Sequence, residues 1–174
     1  KSEIEADVCV YGASPAGVLA AVAAAREGCS VVIVEPTYTI GGLLASGFRM
    51  QQDVPDPQHL GGLTRDYFDK DVALHVGIHA PTLRHYQGAG EDNVAMLQEY
   101  IDRYADLITV VLQHRVAFVE TEEGEIEGVV FEYAVDDENG VPSPVRSSDH
   151  LRRVEAEIYV DASYEGDLMA FSGV

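Results

Sequence analysis

Positive charge is scarce in this chain: 11 lysines and arginines stand against 30 aspartates and glutamates in 174 residues, a formal charge of −19. Nucleic acids and anionic membranes are held by positive surfaces, so the balance argues against either as a partner. The surplus carboxylates read as a solvated acidic surface. Cysteine is nearly absent. Cys9 lies inside an apolar run and Cys29 just before another, so both read as small core residues, and two thiols alone cannot build a metal site. No stretch is apolar over the ~20 residues of a membrane span; the run from Val18 to Ala25 is too short and Ala-rich. No signal-peptide pattern is read in the sequence. The chain opens on Lys1, so its start is expected to have been trimmed or processed; a cytoplasmic location is expected, with export open if a signal peptide was removed.

What is there is an ordinary globular composition, 47% hydrophobic and 24% charged, long enough for one domain with a real core, taken here as residues 1–174. Residues 7–12 read as a short buried strand stopped by glycine. Ala16 to Glu27 is an Ala-rich helix ended by Gly28, and Ser30 to Glu35 is a second strand with a β-branched run. Strand, glycine turn, helix and strand within about 30 residues make a βαβ unit, which is parallel and right-handed. Pro36 to Gly47 is loop-like. Leu60 to His75 carries an apolar stripe of Leu63, Tyr67, Phe68 and Val72. Residues 76–90 read as loop, and Val94, Leu97, Ile101 and Tyr104 recur at helical spacing behind Glu91 and Asp92. Leu107 to Leu112 matches a third parallel strand. Val116 to Val119 and Ile126 to Tyr133 flank the acidic turn 120–124 as a hairpin, and Asn139-Gly140 marks another turn. Val154 to Val160 is a last strand running into Asp161-Ala162-Ser163. Leu168 to Val174 begins an apolar helix that stops mid-element, which points to missing sequence.

The first strand–helix turn, Gly12-Ala13-Ser14-Pro15-Ala16-Gly17, has the spacing of the Gly-x-Gly-x-x-Gly dinucleotide fingerprint with Ser14 in place of the middle glycine. Gly12 permits the tight turn. Position 14 must let a pyrophosphate approach, and serine offers a hydroxyl donor there. Gly17 lets the helix pack closely on the strands. The helix amino terminus then presents N–H groups to a diphosphate without any lysine or arginine. Glu35 ends the second strand, 23 residues after Gly12 (35 − 12), where an acid accepts hydrogen bonds from ribose hydroxyls and disfavours a 2′-phosphate. Two features favour FAD over NAD. Gly41-Gly42-Leu43-Leu44-Ala45-Ser46-Gly47 can bring backbone amides against a second part of an extended cofactor, and a hairpin-rich stretch from Val116 to Val154 replaces the helical crossover of a plain NAD domain.

The chain resembles the glutathione-reductase-type FAD fold and, more narrowly, a bacterial FAD-dependent oxidoreductase family. The resemblance rests on residues 10–17, Glu35-Pro36, residues 41–47, Gly61-Gly62-Leu63 and residues 160–168, Val-Asp-Ala-Ser-Tyr-Glu-Gly-Asp-Leu, in family order. It implies an α/β fold, a Rossmann-like parallel sheet with helices and an inserted antiparallel β-meander. It also implies that Gly12, Ser14, Pro15, Ala16 and Gly17 cradle the pyrophosphate and that Glu35, followed by Pro36, holds the adenosine ribose. Gly41, Gly42 and Ser46 then lie along the pyrophosphate and flavin side, Val116 at the adenine edge, and Ala162 and Ser163 near the adenosine. Such enzymes are usually longer, with a substrate domain and a carboxyl-terminal flavin-site segment, so the resemblance leads to the expectation that residues 1–174 are an incomplete FAD-binding domain, not catalytically competent alone.

Other groupings carry less. His75 and His79 have helical metal-ligand spacing but no third ligand. Arg49, Arg84 and His85 read as surface residues. Asp161, Glu165 and Asp167 read as helix caps or neighbours of the cofactor, and the Glu120–Glu127 cluster as a solvated hairpin. The expectation is the FAD-binding portion of an oxidoreductase that takes a hydride from a small organic substrate. The alternatives are an NAD-binding dehydrogenase module and a truncated, non-catalytic fold of the same family.

Overall fold

Both faces of the central strands are apolar, and the fold follows from covering both. The computed structural model describes residues 2–45, 59–75, 90–147 and 150–173, giving for 70–75 and 90 the backbone course alone. Its elements run β1 (Ser2–Tyr11), α1 (Pro15–Arg26), β2 (Val31–Val34), α2 (Gly42–Ala45), α3 (Gly62–His75), α4 (Gly90–Asp102), β3 (Ile108–Val111), β4 (His114–Glu122), β5 (Glu125–Tyr133), β6 (Arg152–Asp161) and α5 (Asp167–Ser172). The strands form one sheet in the order β3-β2-β1-β6-β5-β4. β1, β2, β3 and β6 are mutually parallel, and β4 and β5 join antiparallel.

Strand side chains alternate between faces, and each set has its own partner layer. Val8, Val10, Val31 and Ile33 pack with Val18, Ala21, Val22 and Ala25 of α1 and with Met96, Leu97, Tyr100 and Ile101 of α4. Cys9, Tyr11, Val32 and Val34 pack on the opposite face with Val116, Val129, Phe131 and Leu168. β5 pairs with β6 only from Val129 to Phe131, and it is through Val116, Val129 and Phe131 that the β4–β5 hairpin packs on this second face. Burying each such valine or phenylalanine contributes about 1.5–3 kcal/mol. Small residues at 17, 21 and 25 bring α1 close to the sheet.

The expected α/β architecture with a parallel sheet and an antiparallel meander is what the structure shows. The differences lie in polar segments. β1 begins at Ser2 rather than Asp7, and β6 at Arg152 rather than Val154, because Ser2–Ala6 pair along Arg152–Ala156. Pairing uses main-chain groups, so half-exposed polar residues give no hydrophobic signal for it. Within the expected loop 36–47, Gly41 and Gly42 (φ +98° and +48°) reverse the chain and Gly42–Ala45 make one helical turn that buries Leu44. α5 spans Asp167–Ser172, with Gly173 as a left-handed cap. Glu120 is not merely solvated: it pairs with Arg153 at 2.7 Å. Arg153 also binds Glu3 and Glu155, joining β1, β4 and β6. Cys9 is buried and Cys29 half-buried, both as free thiols, and burial pushes the Cys9 thiol up to about 12. No described helix is long and apolar enough to cross a membrane.

Candidate dinucleotide site

β2, β1 and β6 are neighbours and parallel, so the loops that follow them emerge together at the carboxyl end of the sheet. The chain leaves β2 and β6 on opposite sides of β1, a topological switch of the kind where open α/β sheets bind ligands. Gly12 follows β1, Glu35 follows β2, and Ala162 follows β6; Gly12 N–H donates to Val34 O at 2.8 Å and Ala162 N–H to Tyr11 O at 2.8 Å.

Each glycine of the first turn has a steric reason. Gly12 has φ +95°, and a Cβ there would lie 2.7 Å from Ser163 N. A Cβ on Gly17 would sit 2.0 Å from Gly12 O, so only glycine lets α1 start this close to the strand. Ser14 is the N-cap of α1: its hydroxyl oxygen accepts from Gly17 N–H at 3.2 Å and its proton goes to Ala162 O at 2.8 Å. The hydroxyl expected to donate to a pyrophosphate is therefore already committed, to the helix cap and to the last loop. Pro15 has no N–H, and the Ala16 amide belongs to the first turn, whose donors have no partner inside the helix. Ala16 is exposed at this mouth.

Glu35 is buried and faces that mouth. Its Oε2 accepts from Ala13 N–H at 2.6 Å, and its Oε1 from the amide and hydroxyl of Thr37 at 2.9 and 2.8 Å. An ionised carboxylate has about four acceptor positions, so these three bonds orient it and leave capacity for a hydroxyl of a ligand. Pro36 is half-buried between these two anchors. Ala13 is the meeting point of the loops, since its carbonyl also accepts from Gly41 N–H at 2.7 Å. Gly42 lies against Tyr164, whose hydroxyl accepts from Leu43 N–H at 2.9 Å. Ser163 is used within its own loop: its amide and hydroxyl both donate to Asp161 Oδ1, at 2.9 and 2.7 Å, and Gly166 N–H donates to its Oγ at 3.0 Å. Asp161 Oδ2 accepts from Met169 N–H at 2.9 Å, so Asp161 ties its loop to the first turn of α5, whose N-cap position is Gly166.

Gly12, Ser14, Pro15, Ala16, Gly17, Glu35, Pro36, Gly41, Gly42, Ala162 and Ser163 thus converge on one end of the sheet. Val116 stands beside them on β4, buried, two residues beyond His114, whose N–H donates to Glu35 O at 3.0 Å. The Val116 carbonyl accepts from Arg146 Nη1 at 3.2 Å. Ser46 lies outside the described residues, as do Arg49, His79, Arg84, His85 and the side chain of His75. Among the described residues no group of three or more His, Cys, Asp or Glu could hold a metal ion. Sequence reasoning gave no role to Thr37 and Tyr164. A hydroxyl two residues beyond a strand-ending acid was a usable signal for Thr37; for Tyr164 there was none, because its partner is 121 residues away.

The site fits a dinucleotide on two counts: glycines where a Cβ would collide, and a buried carboxylate with spare acceptor capacity beside the amino end of a 12-residue helix.

Comparison with known proteins agrees with this geometry. The family description "FAD dependent oxidoreductase" matches residues 7–174. No curated protein sequence matches. Among solved structures, the flavin-dependent brominase Bmp2 is similar at 18% identity with a TM-score of 0.63, over 98% of this chain and 41% of that one. A flavoprotein/dehydrogenase from Cytophaga hutchinsonii is similar at 19% identity and a TM-score of 0.61, over 98% and 42%. A geranylgeranyl bacteriochlorophyll reductase-like protein from Thermoplasma acidophilum is similar at 14% identity and a TM-score of 0.56, over 99% and 43%. At such identities the likeness is one of fold, and the chain spans less than half the length of each of these structures.

Proposed function

The chain belongs to the FAD dependent oxidoreductase family, whose cofactor is FAD, and on that premise we propose that it is the FAD-binding portion of an oxidoreductase acting on a small organic substrate. The carrying observation is the Ala13–Glu35 contact at 2.6 Å beside the start of α1. It puts a helix amino terminus, suited to a diphosphate, next to a fixed carboxylate, suited to a ribose diol. In this reading the Ala16 amide and the amino end of α1 face the pyrophosphate, with Gly12 and Gly17 keeping the approach clear. Glu35, held by Thr37, accepts from the ribose. Gly41 and Gly42 line the continuation of the cofactor. Ala162 and Ser163 close the adenosine side, with Val116 at the edge. When bound, FAD supplies the redox chemistry, here the acceptance of a hydride from the substrate, and the protein contributes binding and orientation. Glu35 also sets the choice of nucleotide, because a 2′-phosphate would meet its carboxylate.

The test is an equilibrium titration with FAD, followed by flavin fluorescence, of the unaltered chain and of Glu35→Ala. The reading expects the variant to lose about 1–3 kcal/mol of binding free energy, roughly 5- to 150-fold in affinity, as for a charged hydrogen bond. Equal affinity in the two proteins would refute the ribose assignment.

A further inference from the structure

The turn between β2 and α2 is held at three points by three distant parts of the chain. Gly41 N–H donates to Ala13 O at 2.7 Å, Leu43 N–H donates to the Tyr164 hydroxyl at 2.9 Å, and Leu44 O accepts from Asn93 Nδ2 at 3.1 Å. Asn93 is buried and in turn accepts from the Tyr67 hydroxyl at 2.6 Å. The first and third holds are thus buried parts of the core. Tyr164 is different. It is 58% exposed, yet its ring lies on Gly42 so closely that a Cβ there would be 2.5 Å from the hydroxyl.

An exposed tyrosine contributes little to the core, so its placement calls for another reason. Tyr164 follows Ala162 and Ser163 in the loop after β6, and Gly41–Leu44 follow β2, on the other side of β1. The phenol is a bridge between two loops that both face the mouth of α1. We propose that Tyr164 is a positioning residue for the cofactor: it ties the Gly41–Leu44 turn to the β6 loop and sets their separation before FAD arrives. The proposal rests on the reading that these loops hold FAD. A binding surface fixed in advance loses less freedom when its ligand arrives, so releasing the tie loosens this turn locally and weakens binding. A purely structural role would lower thermal stability and leave FAD affinity unchanged.

The experiment uses Tyr164→Phe, which keeps the ring and removes the hydroxyl, with three readouts. Amide hydrogen exchange at Leu43 in the cofactor-free chain is expected to speed up about fivefold, and the FAD dissociation constant to rise about fivefold, the scale of one neutral hydrogen bond. The thermal midpoint of the cofactor-free chain is expected to fall by no more than about 4 °C, the scale of that one bond; a larger fall, with FAD affinity lost in step, would mark a general loosening of the fold and overturn the proposal. Unchanged Leu43 exchange, or unchanged FAD affinity alongside faster exchange, overturns the proposal and leaves the functional reading standing. Failure of the unaltered chain to bind FAD defeats that reading and the proposal with it.

Discussion

At the scale of single residues, the chemistry of each buried polar group decides what it can do. His114 is buried. Its Nδ1 is 2.8 Å from Leu112 O, and its Nε2 accepts from Arg152 Nε at 3.2 Å. That pattern requires a neutral ring with the proton on Nδ1. Burial holds its pKa below the ordinary value, with the nearby charges of Arg152 and His150 acting in the same direction and the backbone partners at Leu112 and His150 against it. A histidine depressed in the fold contributes stability that is complete above the unfolded value of about 6.5 and is lost as pH falls through the lower folded value. Urea denaturation should therefore show a stability decline below pH 6.5 that is shallower in His114→Gln; identical pH profiles would show that His114 does not carry it. Glu35 was legible in the sequence because strand end, spacing and charge coincide at one position. The commitment of the Ser14 hydroxyl to Ala162 O was not, because it depends on a loop 148 residues away.

Elements were legible where hydrophobic pattern and turn chemistry agree. α1, β2, β3 and the β4–β5 hairpin fall close to where the apolar runs place them. The amino-terminal halves of β1 and β6 and the single turn of α2 do not, because ladder pairing and a glycine reversal leave no periodic trace. The hairpin offers a test of turn chemistry. Glu122 and Glu125 face each other across Glu123-Gly124, both at positive φ, +52° and +92°. A two-residue turn of this hand favours Asn-Gly, and glutamate there is strained. Glu123→Asn should stabilise the fold by about 0.5–1 kcal/mol in thermal or urea unfolding. A loss of stability would mean that the strain at Glu123 is compensated elsewhere.

For the whole molecule, the parallel strands have helices on one face and side chains of the hairpin and α5 on the other, and the loops after β1, β2 and β6 are delivered to one end of the sheet. Little positive charge is needed there. The net charge of −19 is compatible with an anionic cofactor in the proposed reading, where main-chain amides at the α1 mouth meet the diphosphate and glycines keep the approach open. This logic was legible in the first 47 residues and the last 15; between them, α4 covers one face of the core and the β4–β5 hairpin the other. The central claim is that FAD lies across this mouth. Its most direct measurement is a residue-by-residue amide chemical-shift map as FAD is titrated into the chain. The account predicts shifts concentrated at Ala13–Gly17, Glu35–Thr37, Gly41–Leu44 and Ala162–Ser163. Shifts centred elsewhere, or none at saturating FAD, would contradict it.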